Sequence, residues 1–574
     1  MNLNKDFFKS DNPISYLGDG ELGGKAKGLE LINSVLMNEI KADDFADFTI
    51  TIPKMIVLRT DVFDLFMRIN DLYDIALSDA TDDRIALAFQ QADLPFDILA
   101  DLRMIVTEVK QPLAVRSSSM LEDAMHEPFA GIFGTKMTPN NQLDVDTRFR
   151  KLVEAIKYVY ASTFFKSPKQ YIKATKHSIE DEKMAVIIQE VVGNRHGDRF
   201  YPEVSGVARS YNFYPTGGAK PEHGVANLAF GLGKTIVDGG VSWAYSPQYP
   251  RKDPPYKSVG DMMKFTQLNF WSVNMGKPAD YDPINEAEYM IESHIFDVEK
   301  DETLKKVVST YDARDDRVWP GQFGEGPRIV TFAPILHDTA IPLNNVIKKL
   351  LEISEKSSNN PVEMEFAVTL SGNSEEKPYK FGLLQVRPMV VSNEVVEISE
   401  EELYSDKAVI SSESVLGNGE LNTISDIVFV KPETFNSLNT RQIAKEIEEI
   451  NKKFLEIDRK YILIGFGRWG TTDEWAGIPV DWSQISAAKV IVESGLENMV
   501  QEMSQASHFF HNVTSFEVLY FSIPFTRKDD IKWDWLNSLD IIEETELVKH
   551  VKSAEPLVIK ANGKDGIGLI KKSS

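Results

Sequence analysis

The chain contains no cysteine. That absence excludes disulfides, thiolate metal sites and a cysteine nucleophile or acid anywhere in its 574 residues. Long apolar runs are missing too: nothing approaches the roughly eighteen uncharged residues of a membrane span, and the opening MNLNKDFFKSDN has no signal-peptide apolar region. The expectation is a cytoplasmic protein with no membrane partner. Positive charge is in deficit, with 63 Lys+Arg against 87 Asp+Glu and a net charge of −24. Such a surface serves solubility and does not attract nucleic acid, although it is compatible with a local basic pocket. What is present is ordinary globular material: 42% hydrophobic residues, and length for two or more domains, each with its own core.

The most informative stretch is Pro112–Thr135, PLAVRSSSMLEDAMHEPFAGIFGT. Leu113–Val115 is a buried-strand candidate, and Arg116 leaves its end with a fork of donors suited to phosphate oxygens. Ser117–Ser119 add hydroxyls. The following Phe129–Thr135 segment carries Gly131 and Gly134, where backbone amides can approach a polyphosphate closely. In isolation the same pattern also fits a surface ion pair followed by a turn. Upstream, Gly23-Gly24-Lys25-Ala26-Lys27-Gly28 precedes a helical pattern of Leu29, Ile32, Val35 and Leu36. A glycine loop ahead of a helix start is an anion site with Lys25 or Lys27 at hand, or a solvated surface loop. Ile50–Pro53 and Met55–Leu58 read as strand, and TDVFDLFMRI as helix.

Farther on, Phe149, Leu152, Ile156, Val159 and Tyr160 trace a buried helix face. The continuous apolar run Met184–Val192 predicts a central strand covered on both sides. Near Pro361–Pro388, Glu363 and Glu365 alternate with apolar residues and so share one strand face; Gln385 and Arg387 do the same in FGLLQVRP. Paired antiparallel, these strands converge two acids, an amide oxygen and a guanidinium, an oxygen-rich set suited to Mg²⁺ and phosphate; left unpaired by function, they form an edge hairpin with solvated charges. Two other matches are rejected. AFGLGKT has a P-loop tail, but Leu228 stands where the leading glycine is required, and Gly465–Gly470 matches GxGxxG without a following helix.

Taken in order, these motifs resemble the N-terminal nucleotide-binding domain of phosphoenolpyruvate synthase and pyruvate phosphate dikinase. AVRSS…ED…FAG is similar to that family's signature, and so are GGK-x3-L, the MAVIIQ strand, the segments SGVA and AFGLGKTIVDGG, EMEF, and LLQVRP. The resemblance implies a two-lobed ATP-grasp domain over 1–392, with lobes of roughly 1–185 and 186–392, and hence an α/β fold. It implies ATP and Mg²⁺ as cofactors: Lys25, Arg116 and Arg387 on phosphates, with Ser117, Gly131 and Thr135 beside them. Backbone around Gln189, Glu190, Val191 and Val192 would read the adenine edge, and Glu365 and Gln385 would hold the metal. Glu363 departs from the family's aspartate, and Asn227 stands where an acid is expected.

Past the acidic stretch 393–412, read as a linker, a smaller α/β domain is expected over 413–574. A strand over Asp426–Val430 and a helix bearing Ile443, Ile447, Ile450 and Phe454 open it, with further strands at Tyr461–Ile464, Lys489–Val492 and Phe516–Ile523. Complete family members carry a swivelling domain whose histidine takes phosphate from ATP. Their T-[SC]-H-A motif is absent, and the nearest candidate is His508 in SQASHFFHN, which a packed core histidine also explains. The resemblance thus implies an ATP-dependent phosphotransferase, not a complete phosphoenolpyruvate synthase, acting on a histidine or on a phosphoacceptor protein or small molecule. The alternatives are an ATP-sensing or interaction module without turnover, and one subunit of a split enzyme.

Overall fold

The computed structural model describes residues 3–573 apart from 41–44, 46, 123–130, 174–176, 217, 253–255, 257, 277–280, 300–301, 338–339, 372–377, 392–395, 472–476 and 496–506. Phe129 and Ala130 of the glycine-bearing segment, and 393–395 of the expected linker, lie outside the described residues. The chain forms two compact units. The first comprises Met1–Ser210, His223–Ile236 and Val241–Met389, and the second Tyr211–Glu222, Val237–Gly240 and Val390–Ser574.

Two sheets organise the first unit. In the five-stranded sheet the order is Ile14–Leu17, Met55–Leu58, Met184–Glu190, Leu113–Ser119, Thr135–Thr138. The uninterrupted apolar run Met184–Glu190 takes the middle position, buried from Met184 to Gln189, because only a strand with neighbours on both sides and cover on both faces buries so many consecutive side chains. The six-stranded sheet runs Trp243–Tyr245, Val225–Ala229, Val204–Arg209, Val362–Thr369, Tyr379–Pro388, Phe48–Thr51. The apolar stretch around Pro53 therefore belongs to two sheets. Phe48–Thr51 pairs with Tyr379–Pro388, and Met55–Leu58 pairs with Met184–Glu190. Proline has no N–H for a ladder, and the chain changes sheet there.

One core joins the two sheets. Ala26, Leu29 and Ile32 of the Gly24–Glu39 helix pack in a cluster that also takes Met55, Val57 and Ile187 from the first sheet and Met364, Phe366, Phe381 and Leu383 from the second. Each such fully buried aliphatic or aromatic side chain contributes about 1.5–3 kcal/mol relative to exposure. The helix start is pressed onto the signature strand: Gly23 has φ +74°, and a Cβ there would lie 1.7 Å from the Ser118 carbonyl oxygen.

A nine-stranded mixed sheet dominates the second unit. Asn418–Val430, Tyr461–Phe466, Ala488–Ser494 and Leu519–Ile523 lie side by side and parallel. The helix Thr440–Glu456 connects the first two of these strands and buries Ile443, Ile447, Ile450 and Phe454; the helix His508–Ser515 precedes the last. Antiparallel strands Val548–Asn562, Ile567–Lys571 and Ala408–Ser412 extend the other side. Of the stretch read as a linker, Glu400–Leu403 is a helix capped by Ser399, and Ala408–Ser412 is a strand of this sheet. Its acidity is local: three glutamates in a first helical turn sit where the helix dipole favours negative charge. Similarly, the apolar residues Phe516 and Val518 lie ahead of the strand Leu519–Ile523, with Glu517 between them at φ 51°.

Replacing Gly23 by alanine adds a Cβ into the Ser118 backbone in a left-handed conformation. Urea denaturation is expected to show a loss of about 2 kcal/mol or more for Gly23→Ala, against near neutrality or a small gain for Gly260→Ala in the same assay, where φ is not positive and the nearest atom to the added Cβ is Ser258 Oγ at 3.6 Å.

Candidate nucleotide site

The strands Val362–Thr369 and Tyr379–Pro388 pair antiparallel, with Glu363 opposite Arg387 and Glu365 opposite Gln385; a bulge follows at Glu365/Phe366. Onto this pair reaches Arg116, from the third residue before the end of the Leu113–Ser119 strand. One guanidinium nitrogen donates to Gln385 Oε1 at 2.9 Å and faces Glu365 Oε2 at 3.5 Å; the other donates to the Leu384 carbonyl at 3.1 Å and to Gln189 Oε1 at 3.4 Å. Residues 249 and 269 positions apart are thus joined through one side chain. Thr135 lies directly opposite Arg116 on the neighbouring strand.

Beside this cluster is a buried triad. Glu363 is 1% exposed; one of its oxygens accepts from Arg387 Nε at 2.7 Å, and the other accepts from Arg209 Nε at 2.5 Å. Register explains the meeting, since Glu363 stands opposite Arg387 on one side and Arg209 on the other. Burial pulls the Arg209 pKa down, and the Glu363 charge opposes that shift. Two guanidiniums share this one carboxylate, and removing the acid would set two buried like charges against each other, a strongly destabilising change.

Lys25 sits in the first turn of the Gly24–Glu39 helix. Its ammonium is 2.5 Å from Glu122 Oε1 and 3.4 Å from Ser117 Oγ, and Ser117 in turn donates to Glu122 at 3.0 Å. The other Glu122 oxygen accepts from the Ser119 N–H, and the Glu122 N–H donates to Ser119 Oγ, so this acid also closes the turn after the signature strand. Glu182 caps the same turn by accepting from the Met120 N–H at 3.0 Å. Burial pushes the Glu182 carboxyl up to about 7; Ser119 and the N–H groups of Met120 and Leu121 pull it back, and nearby Glu122 adds to the rise.

At the end of the central strand, a small pocket is lined by Pro53, Glu190, Val191, Val192, Thr369 and Lys380, among others. The Glu190 N–H donates to Lys54 and the Val191 N–H to Pro112, so these two amides hold the strand end in place. Burial raises the Glu190 pKa, with Lys380 and Lys54 opposing. Gly131 lies in an exposed turn at φ 67°, and the Gly134 N–H donates to Ser162 Oγ at 2.9 Å. In the second unit, His508 is the first residue of the helix His508–Ser515, capped by Ser507. The rejected GxGxxG runs from the strand Tyr461–Phe466 into the two-residue strand Arg468–Trp469, with no helix at that point.

The family model described as the pyruvate phosphate dikinase AMP/ATP-binding domain matches residues 20–407. The chain belongs to this family. No curated protein matches it. Within the dikinase AMP/ATP-binding domain so defined, the fold is α/β, and the domain is an ATP- and AMP-binding one of the dikinase type. No helix among the described residues is long and apolar enough to cross a membrane.

Three residues of this dikinase domain's polar network went unread in the sequence. Arg209 carries the same signal as Arg116, an arginine closing an apolar strand, in VSGVAR. Glu122 was visible only as part of the signature, and its pairing with Lys25 needs the fold. Glu182 has no signal, because it lies in an ordinary polar turn ahead of the central strand.

The Glu182 titration sets a pH dependence. An unfolded chain loses this proton near 4.5, whereas the folded chain holds it to about 7, so stability falls as pH rises between those values. Glu182→Gln is expected to gain on the parent between pH 5 and pH 8, by up to about 3 kcal/mol, in denaturation curves at each pH.

Proposed function

We propose that the chain is a Mg²⁺-dependent phosphotransferase with an ATP-grasp nucleotide site, moving a phosphoryl group from ATP to a histidine of its own second unit or to an acceptor supplied by a partner. The observation that carries this reading is the reach of Arg116 to Gln385 and Glu365, which gathers the separate motifs around one polar point. Arg116, Lys25 and Arg387 are the phosphate-holding cations in this reading, Ser117 and the Gly131–Thr135 segment lie over the phosphates, and the Gln189–Val192 backbone reads the base through groups other than the Glu190 and Val191 N–H, which are already bonded.

Gln385 Oε1 and Glu365 Oε2 already converge on a positive group, and both are hard oxygen donors, so the pair fits a Mg²⁺ ion that takes its remaining ligands from water and phosphate. Held there, such an ion would supply charge neutralisation for the phosphoryl group. The Arg209–Glu363–Arg387 triad sets two further guanidiniums beside the same strand pair. The acceptor within the chain is His508, at the start of its helix, where a neutral ring nitrogen can take the phosphoryl group. Without a cysteine, this chain lacks the acid used in the family's pyruvate chemistry, so we assign it the transfer and not the whole synthesis.

The triad also favours a second reading. Glu363 engages Arg387 from its side of the strand pair, and an arginine held by a buried acid suits a module that binds ATP and does not turn it over. ATP labelled at the β or γ position separates the two. Under the enzyme reading, AMP or ADP forms and acid-labile label appears on the protein, lost in His508→Ala if that residue is the acceptor. Binding with neither product nor label supports the sensor and refutes the transferase. In both readings Arg116→Ala is expected to weaken ATP binding by roughly 10- to 100-fold in calorimetry, the loss of about 1.5–3 kcal/mol of charge-assisted hydrogen bonding.

A further inference from the structure

The second unit holds a half-open pocket that the nucleotide chemistry does not use. A water-sized sphere moves through about 30 Å³ of it, room for a carboxylate or about two waters, and pocket and mouth together span about 380 Å³. It lies beyond the carboxyl ends of two parallel strands: Arg468, Trp469 and Thr471 follow Tyr461–Phe466, and Glu493 is the next-to-last residue of Ala488–Ser494. This is the edge at which open α/β sheets gather their loops and bind ligands. The two loops are tied together there, the Gly467 N–H donating to the Ser494 carbonyl at 2.9 Å.

We propose that this pocket binds a small aromatic monocarboxylate, its carboxylate on Arg468 and its ring among Trp469, Phe509 and Phe510. Arg468 Nε is buried and has no hydrogen-bond partner among the described residues, so a donor with the highest affinity for a planar carboxylate stands unused in the wall. Thr471 and Ser507 put hydroxyl-bearing residues on the same wall. Rings back the lining: Trp482 packs edge-on to Phe509 at 6.1 Å, and Phe213 and Tyr214 meet Phe510 at 5.5 and 6.2 Å, so the two phenyl groups that line the pocket are themselves held by aromatic contacts.

The charge of the ligand follows from its neighbours. Arg468 is the cation of the lining, and Glu493, 2% exposed and accepting from the Tyr520 hydroxyl, opposes any second negative charge. A dianion such as phosphate is therefore disfavoured against a monoanion. Burial pushes the Glu493 carboxyl up to about 7, with Tyr520 and Arg468 pulling it down. Tyr520 on its strand, Arg468 on its loop and Tyr214 from Tyr211–Glu222 are the groups coupled to this site, and the helix His508–Ser515 adds His508 and His511. An anion bound beside Glu493 favours its protonated form, so binding tightens as pH falls through 7. The proposal rests on no property of the nucleotide site.

Calorimetric titration of the full chain with benzoate, acetate and inorganic phosphate at pH 6 and pH 8 tests it. Benzoate is expected to bind at least tenfold more tightly than acetate or phosphate, and several-fold more tightly at pH 6 than at pH 8. Arg468→Met should cost at least tenfold, Arg468→Lys less, and Glu493→Gln should flatten the pH dependence while keeping binding. If Arg468→Met fails to fold, Thr471→Val, which keeps the bulk, should still weaken benzoate. No benzoate binding at either pH, binding indifferent to Arg468 and Thr471, or phosphate as tight as benzoate would each overturn the proposal.

Discussion

One guanidinium holds the candidate nucleotide site of this chain together. Arg116 sits in the middle of the Leu113–Ser119 strand of the five-stranded sheet and bonds to side-chain and main-chain oxygens of the six-stranded one. A lysine in its place would make a point contact, whereas arginine's fixed fork reaches Gln189, Leu384, Gln385 and Glu365 at once. The same planar group that suits phosphate oxygens therefore also ties the two sheets together across a polar seam, where apolar packing is not available. The shared core around Ala26, Leu29, Met364 and Phe366 supplies the apolar counterpart on the other side.

Legibility in the sequence followed the range of the forces involved. Local patterns were readable: the two-residue alternation in EMEF and LLQVRP placed four polar groups on shared faces, and the observed register, Glu363 to Arg387 and Glu365 to Gln385, follows from that alternation once the strands pair. The apolar run Met184–Glu190 declared a central strand for the same reason. Contacts decided by tertiary register were not readable. Arg209 reaches Glu363 only because Val204–Arg209 lies on the far side of Val362–Thr369, and nothing local to VSGVAR names that neighbour. The acidic stretch near 400 misled in the opposite direction, since charge that reads as a solvated linker proved to be a capped helical turn leading into a strand.

Glu363 gives the site its particular electrostatic character. The resemblance expects an aspartate there; the longer side chain spans to Arg387 on one strand and Arg209 on another with separate oxygens. The two guanidiniums share that acid in a low-dielectric surrounding, which magnifies charge interactions. Whatever anion approaches this seam meets a field set by three arginines and two acids, counted over Arg116, Arg209, Arg387, Glu363 and Glu365.

Lys25 has a double identity that bears on how its variants are to be interpreted. A lysine at a helix start beside a phosphate site invites use as a pure ligand, and its removal invites the conclusion that a lost activity is lost chemistry. Yet its ammonium is the counter-ion of Glu122, an acid with no solvent exposure of its side chain, at the very turn where a second acid, Glu182, is already held protonated towards neutrality. Deleting that cation strands a carboxylate in the interior. An inactive Lys25 variant therefore speaks of substrate handling only after its fold has been shown intact, and a double exchange that also neutralises Glu122 is the cleaner probe of the two roles.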